Sequence, residues 1–289
     1  MSAPAKATGQ AVGVPPVRRW SRAELLLAGL LLVLAAAAWM LTALLATPDM
    51  QSGILTGAQP MGDSMMNPWL VEAGLFLLTW TVMMAAMMLP SIVPFTVGVS
   101  RLMRPREAGR SGTVAMTTAY VLLWAGTGIL VYPAWRGLQQ IGARPTDVAV
   151  RVGAVVLIAA GVYQFTPLKR VCLRRCRSPV FLVMQHGQRA TRSRLGAFQA
   201  GIQHGSYCLG CCWALIVVLL AAGAMSLAWM GAIAAVVALE KTSKRGETIS
   251  TALGGVLIAA GVLLLVSPGL LAKLAGRRPP PERRCQSSP

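Results

Sequence analysis

The segment His204-Gly205-Ser206-Tyr207-Cys208-Leu209-Gly210-Cys211-Cys212-Trp213 opens a long apolar run that continues to Ala224. It contains three of the chain's six cysteines and one of its two histidines. In a helix, with about 100° of rotation per residue, that histidine and all three cysteines fall within one sector about 100° wide. These four residues are His204, Cys208, Cys211 and Cys212. The segment therefore predicts a buried helix with four metal-binding side chains on one face.

Thiolates and an imidazole are soft or borderline ligands, which suit Cu(I) or Zn(II) better than Mg²⁺ or Ca²⁺. The alternative is that these cysteines are small hydrophobic side chains that pack against neighbouring helices. One buried cysteine would favour that alternative, because cysteine is among the most commonly buried residues. Four donors on one helix face favour a metal site instead.

The composition of the chain is that of a membrane protein. Of its 289 residues, 55% are hydrophobic and 12% are charged, whereas soluble domains carry roughly 25% charged residues. The net charge of +18 comes from basic clusters between apolar segments, as expected beside a membrane surface. We expect the lipid bilayer as a partner and no nucleic acid, because no nucleic-acid-binding pattern is present.

Seven apolar segments are long enough, or nearly so, to cross about 30 Å of hydrocarbon. The sequence therefore predicts an all-α fold, a polytopic transmembrane bundle of seven helices, with six as the alternative. Two observations support the alternative of six helices. The sixth segment is short, and seven crossings would place the basic tail outside the cell, against the positive-inside rule. The segments are roughly 24–46, 69–99, 113–135, 149–166, 204–223, 226–240 and 249–271.

The distribution of Lys and Arg predicts the topology and the domain limits. Residues 1–22 form a basic N-terminal arm that we expect to be disordered and cytoplasmic. Residues 23–272 form the transmembrane domain, with a basic cytoplasmic loop at 167–203. Residues 273–289 form a basic tail, also expected to be disordered because of its proline and serine content.

A second group of soft donors lies in the predicted second helix, where four methionines occur within six residues: Met83, Met84, Met87 and Met88. They form two pairs with i, i+4 spacing, so each pair shares a helix face. Thioether ligands select Cu(I). The alternative interpretation is that these methionines are flexible filler of the helix core.

Cys172 and Cys176 follow Pro167 and would share one face of a short helix at the membrane interface. The five nearby cations, Lys169, Arg170, Arg174, Arg175 and Arg177, favour the thiolate form. The alternative is a basic anchor to anionic lipid with two incidental cysteines. The predicted topology puts this segment and His204 on the same side, so five cysteines and the imidazole could converge at one depth.

Other kinds of chemistry have less support. Cys208 and Cys211 also form a C-x-x-C pair, but no thioredoxin-like pattern surrounds them. The chain has no Ser-His-Asp arrangement, P-loop or dinucleotide fingerprint, so hydrolase and nucleotide-driven mechanisms lack a basis. Glu240 and Lys241 end the predicted sixth helix and suggest a solvated helix terminus.

Several of these strings resemble one bacterial family, the predicted metal-binding integral membrane proteins catalogued as domain of unknown function 2182. The similarity covers about residues 70–265, and one departure is Ile216, where a methionine is expected. The resemblance implies a bacterial inner-membrane protein that binds metal and is associated with copper. The strings that carry it are 83–91, 163–169, 172–179, 204–213, Trp229-Met230 and Glu240-Lys241.

The sequence thus predicts a membrane protein that handles Cu(I), with zinc as the alternative metal. We expect His204, Cys208, Cys211 and Cys212 to be ligands, with Cys172 and Cys176 as a second pair or relay. Its role would be copper transfer, sensing or cuproenzyme maturation with a copper donor or acceptor protein, rather than catalysis. The alternatives are a membrane oxidoreductase that uses the cysteines or a bound metal, and a metal transporter or structural subunit.

Overall fold

The computed structural model describes residues 21–45, 69–103, 109–142, 146–177, 193–223 and 226–267. Within these ranges the protein is helical, which confirms the all-α prediction there. The predicted tail, and the predicted arm except Ser21 and Arg22, lie outside these ranges. The helices are α1 (Arg22–Leu45), α2 (Trp69–Met103), α3 (Gly109–Gly142), α4 (Thr146–Gln164), α5 (Pro167–Arg177), α6 (Arg194–Ala222), α7 (Leu227–Thr242) and α8 (Gly246–Val266).

Five of the described helices are long and apolar enough to cross a membrane: α1, α2, α3, α6 and α8. A sixth crossing is formed if α4 and α5, which meet at a 64° bend, are taken as one broken span. Several apolar helices agree with a multi-pass membrane protein, but the predicted count of seven is not confirmed. A seventh crossing would have to be formed by α7, which has only 16 residues.

The boundaries around the predicted 167–203 loop differ from the expectation. Pro167 is the first residue of an eleven-residue helix, α5, and α6 begins already at Arg194. The side chain of Ser193 caps α6 by accepting a hydrogen bond from the Gly196 N–H, so the helix starts in the polar residues before its apolar run. The part of the predicted loop at 178–192 lies outside the described residues.

Helix packing places the short helix α7 between two groups of helices in the described bundle. In one series, α1 packs on α2, α2 on α3, and α3 on α6. On the other side, α4 pairs with α8 and also contacts α6. Helix α7 lies between these groups and contacts α2, α5, α6 and α8.

Small residues bring α4 and α8 close together. A Cβ placed on Gly161 would lie 2.7 Å from Ile258 Cγ1, and one on Gly261 would lie 2.8 Å from the Ala154 carbonyl oxygen. Such contacts leave no room for a larger side chain, as is common where membrane helices pack. The outer faces carry exposed leucines and valines, such as Leu26 and Leu44 of α1, which suits contact with lipid.

Candidate metal centre

The described structure buries all ten residues that the sequence selected as metal donors. The most exposed of them is Cys172, at 8%. The nine sulfur-containing residues belong to one continuous core cluster, to which α2 supplies the four methionines, α5 supplies Cys172 and Cys176, and α6 supplies the other three cysteines. Sulfur-containing side chains from three helices therefore lie in one hydrophobic core, together with aliphatic and aromatic side chains.

Cys208 lies at the centre of this cluster. Its Sγ is 3.0 Å from the hydroxyl of Tyr120 on α3 and 3.0 Å from Nζ of Lys241 on α7. Hydrogen bonds that involve an ionised partner are stronger than neutral ones. The sulfur of Cys208 is thus in hydrogen-bond contact with two polar groups from two other helices.

Lys241 is the largest difference between the sequence interpretation and the structure. It is 8% exposed and the adjacent Glu240 is 1% exposed, so the predicted solvated terminus is wrong for both side chains. Besides Cys208, the ammonium contacts Ser91 Oγ at 3.0 Å and Met88 Sδ at 3.9 Å. A buried ammonium therefore lies among the soft donors.

The thiols of Cys211 and Cys212 turn back along their own helix. They donate to the carbonyl oxygen of Cys208 at 3.1 Å and 2.9 Å respectively. The side chain of Cys176 interacts with those of Cys208 and Cys211. Among the described residues no three His, Cys, Asp or Glu side chains stand in metal-binding geometry, so metal binding would require these thiols to change rotamer.

Cys172 lies slightly apart from this centre, against the backbone of α6. A Cβ placed on Gly210 would be 2.7 Å from Cys172 Sγ. Glycine at this position therefore allows the thiol of α5 to reach the surface of α6, and Tyr163 adds a hydrogen bond to the Gly210 carbonyl.

His204 faces a different part of the centre. Its ring stacks on Phe95 with 3.6 Å between centroids, and it is 3% exposed. In the part of the chain that the structure describes, neither ring nitrogen has a hydrogen-bond partner. Buried polar atoms are nearly always hydrogen-bonded, so two unpartnered nitrogens suggest a site for a ligand.

A cavity of about 270 Å³ adjoins His204. Its lining combines cationic, polar and sulfur-containing side chains, so it is not an ordinary packing defect. The residues that line it are Ser91, Ile92, Pro94, Phe95, Cys176, Arg177, His204, Lys241 and Thr242.

A buried ion pair attaches the cysteine-bearing helix α5 to α7. Lys169 Nζ lies 3.0 Å and 2.9 Å from the two carboxylate oxygens of Glu240, and both side chains are 1% exposed. Lys169, Cys172 and Cys176 are spaced i, i+3 and i+7, so they share a helix face. The ion pair therefore fixes the position of both thiols relative to Lys241.

The structure also shows three groups near Cys208 that sequence reasoning did not select: Tyr120, Ser91 and Lys241. Tyr120 and Ser91 carry no distinguishing pattern in the sequence. Glu240 and Lys241 did carry one, because ionisable residues beside an apolar segment are a functional hint in membrane proteins.

These features define a class: a helical protein with membrane-length helices and a buried centre of sulfur donors, an imidazole and an ammonium. A comparison with family models matches residues 77–264 to the family described as PpoB2, copper chaperone. The match covers more than half of the chain and includes every residue of the centre, so the protein belongs to this family. The match agrees with the copper association that the resemblance to domain 2182 implied, although under another family name. No curated protein and no solved structure matches the chain.

Proposed function

We propose that this protein binds Cu(I) within the membrane and passes it on, as a copper chaperone with a transmembrane site. The observation that carries the proposal is the packing of five cysteines from α5 and α6 and four methionines from α2 into one buried cluster. Thiolate and thioether donors select Cu(I), and membership in a copper chaperone family supports the same metal. Zinc remains the alternative metal.

In this proposal copper is cargo, and each group of donors has a separate task. Cys208, Cys211 and Cys212, with His204, hold the metal. Cys172 and Cys176 form a second pair or relay on α5, where they lie beside the same stretch of α6. The number of thiols exceeds what one tetrahedral centre needs, which supports transfer between positions.

Met83, Met84, Met87 and Met88 form the α2 wall of the cluster and give a weaker thioether path. The partners are the lipid bilayer and a copper donor or acceptor protein. The protein would lie in the bacterial inner membrane with a cytoplasmic N-terminus. A disulfide between Cys208 and Cys211 in the isolated, metal-free protein would favour the oxidoreductase alternative.

The proposal predicts that copper content depends on the thiols of α6. Full-length protein is purified in detergent after expression with copper, as wild type and as the Cys208→Ser/Cys211→Ser double variant, and its metal content is measured. We expect the double variant to lose most of its copper. The matched control, Cys285→Ser, changes a cysteine outside the described residues and should keep it. Equal copper in all three proteins would contradict the proposal.

A further inference from the structure

We infer that the centre contains two metal positions: a loading position at the cavity, with His204 and Cys176 as donors, and an inner position at Cys208, whose sulfur is blocked by the ammonium of Lys241. Cys176 also interacts with Cys208, so its thiol borders both positions. This inference rests on the proposed function and adds the order in which the donors act. Copper would bind first at the cavity. It would reach Cys208 only when Lys241 moves aside.

The loading position is supported by the cavity and by the two ring nitrogens of His204. Both nitrogens are buried without a partner among the described residues, and the ring lines the cavity. Cys176 lines the same cavity from α5. A nitrogen donor and a sulfur donor therefore border one space that is large enough for an ion, and both donor types bind copper.

The atoms around the ammonium of Lys241 indicate that it blocks the inner position at Cys208. Nζ contacts Cys208 Sγ and Ser91 Oγ, each at 3.0 Å, and lies 3.9 Å from Met88 Sδ. A soft metal bound between Cys208 and Met88 would need this same space. Tyr120 already contacts the Cys208 sulfur from α3, which leaves less of that sulfur open.

The exchange balances in charge. Cu(I) binds Cys208 as the thiolate, and Lys241 and Cu(I) each carry one positive charge. With Cys208 ionised both before and after the exchange, the outward movement of the ammonium as Cu(I) arrives leaves the net charge beside its sulfur unchanged, and no proton has to leave. This matters because an unpaired charge buried in protein is costly. The displaced ammonium has space to move into, since Lys241 itself lines the cavity. Zn²⁺ would instead add one positive charge at the same place.

The test is stopped-flow uptake of Cu(I), supplied as a bicinchoninate complex without oxygen, by the reduced full-length protein in detergent. Cu(I)–thiolate absorption in the near ultraviolet is followed over time. We expect two phases in the wild type, a fast loading phase and a slower inner phase. Lys241→Leu, which adds no copper-binding atom, should accelerate the inner phase at least about tenfold, which corresponds to about 1.4 kcal/mol. Lys244→Leu, at an exposed lysine just beyond α7, should leave both phases unchanged.

The loading position has its own variants, His204→Ala and Cys176→Ser, which should remove the fast phase and retain slow binding. If Lys241→Leu does not fold, Lys241→Gln takes its place, and the histidine and cysteine variants still test the order of binding. A slower inner phase in the lysine variant would show that the ammonium assists binding, and would overturn the inference. So would a single phase in the wild type, or an unchanged fast phase without His204. A wild type that binds no Cu(I) would instead refute the proposed function itself.

Discussion

The sulfur of Cys208 is the atom on which the described centre converges. Tyr120 and Lys241 both contact this sulfur at 3.0 Å. The backbone carbonyl oxygen of Cys208 accepts hydrogen bonds from the thiols of Cys211 and Cys212. A lone buried thiol that served only as a hydrophobic side chain would not need two polar partners from other helices. This arrangement favours a functional role for Cys208 over simple packing.

At this scale we predict that Tyr120→Phe weakens Cu(I) binding by about tenfold, because hydrogen bonds to metal ligands typically affect affinity by 10–100-fold. The hydroxyl that contacts Cys208 is removed while the ring is kept. Affinity is measured by competition with a Cu(I) chelator. Tyr207→Phe, which removes a hydroxyl near Arg175, is the control and should bind as the wild type does. Equal affinity in the two variants would show that the hydroxyl of Tyr120 does not support the site.

Sequence reasoning reached the donors but not their surroundings. Helical periodicity alone placed His204 and the three α6 cysteines in one sector, and the structure buries all four. The approach of Lys241 to Cys208 depends on helix packing across 33 residues of sequence separation. No local pattern encodes such a contact.

At the scale of helices, α5 packs mainly on α6 and is joined to α7 by a buried ion pair. The buried pair between Lys169 and Glu240 lies on the face of α5 that also carries both cysteines. A second pair, between Arg174 and Glu247 of α8, is largely exposed. Buried and exposed pairs are expected to differ strongly in their effect on stability.

We predict that Lys169→Met destabilises the protein by about 3–5 kcal/mol, because it leaves the carboxylate of Glu240 buried without its partner. The double variant Lys169→Met/Glu240→Leu should recover most of that loss, since it removes both charges. Thermal unfolding in detergent gives the comparison, and Arg174→Met is the control with little expected effect. A double variant as unstable as the single one would contradict this role for the ion pair.

The ends of the helices were predictable where the sequence changes sharply from polar to apolar residues, and were less predictable elsewhere. The first two predicted segments agree with α1 and α2 to within a few residues. Helix α6 begins earlier than its apolar run, because Ser193 provides a cap among polar residues. Helix α5 and the bend before it arise where Pro167 restarts the helix, and hydropathy does not resolve such a feature.

At the scale of the whole molecule, two ion pairs lie near opposite ends of α2. Arg101 near its C-terminal end pairs with Glu24 at the start of α1, and Arg136 of α3 pairs with Glu72 near its N-terminal end. These contacts agree with antiparallel neighbours. The sequence assigned the Arg101 end to the cytoplasm because four arginines lie in or near the following connection: Arg101, Arg104, Arg106 and Arg110.

We predict that a reporter that is active only in the cytoplasm will be active when fused after residue 105 and inactive when fused after residue 55. The reason is that basic connections remain on the cytoplasmic side, whereas the 47–68 connection contains no Lys or Arg. Matched fusions of an export-dependent reporter should give the opposite pattern. The reverse result for both reporters would place the N-terminus and the basic clusters outside.

The central claim, that these sulfur donors and His204 hold copper, is tested most directly by X-ray absorption at the copper edge of the Cu(I)-loaded, full-length protein. The account predicts a first shell dominated by sulfur, with a nitrogen contribution that disappears in His204→Ala. The sulfur contribution should fall in the Cys208→Ser/Cys211→Ser variant. A first shell of only nitrogen and oxygen, or a spectrum identical in wild type and both variants, would contradict the claim.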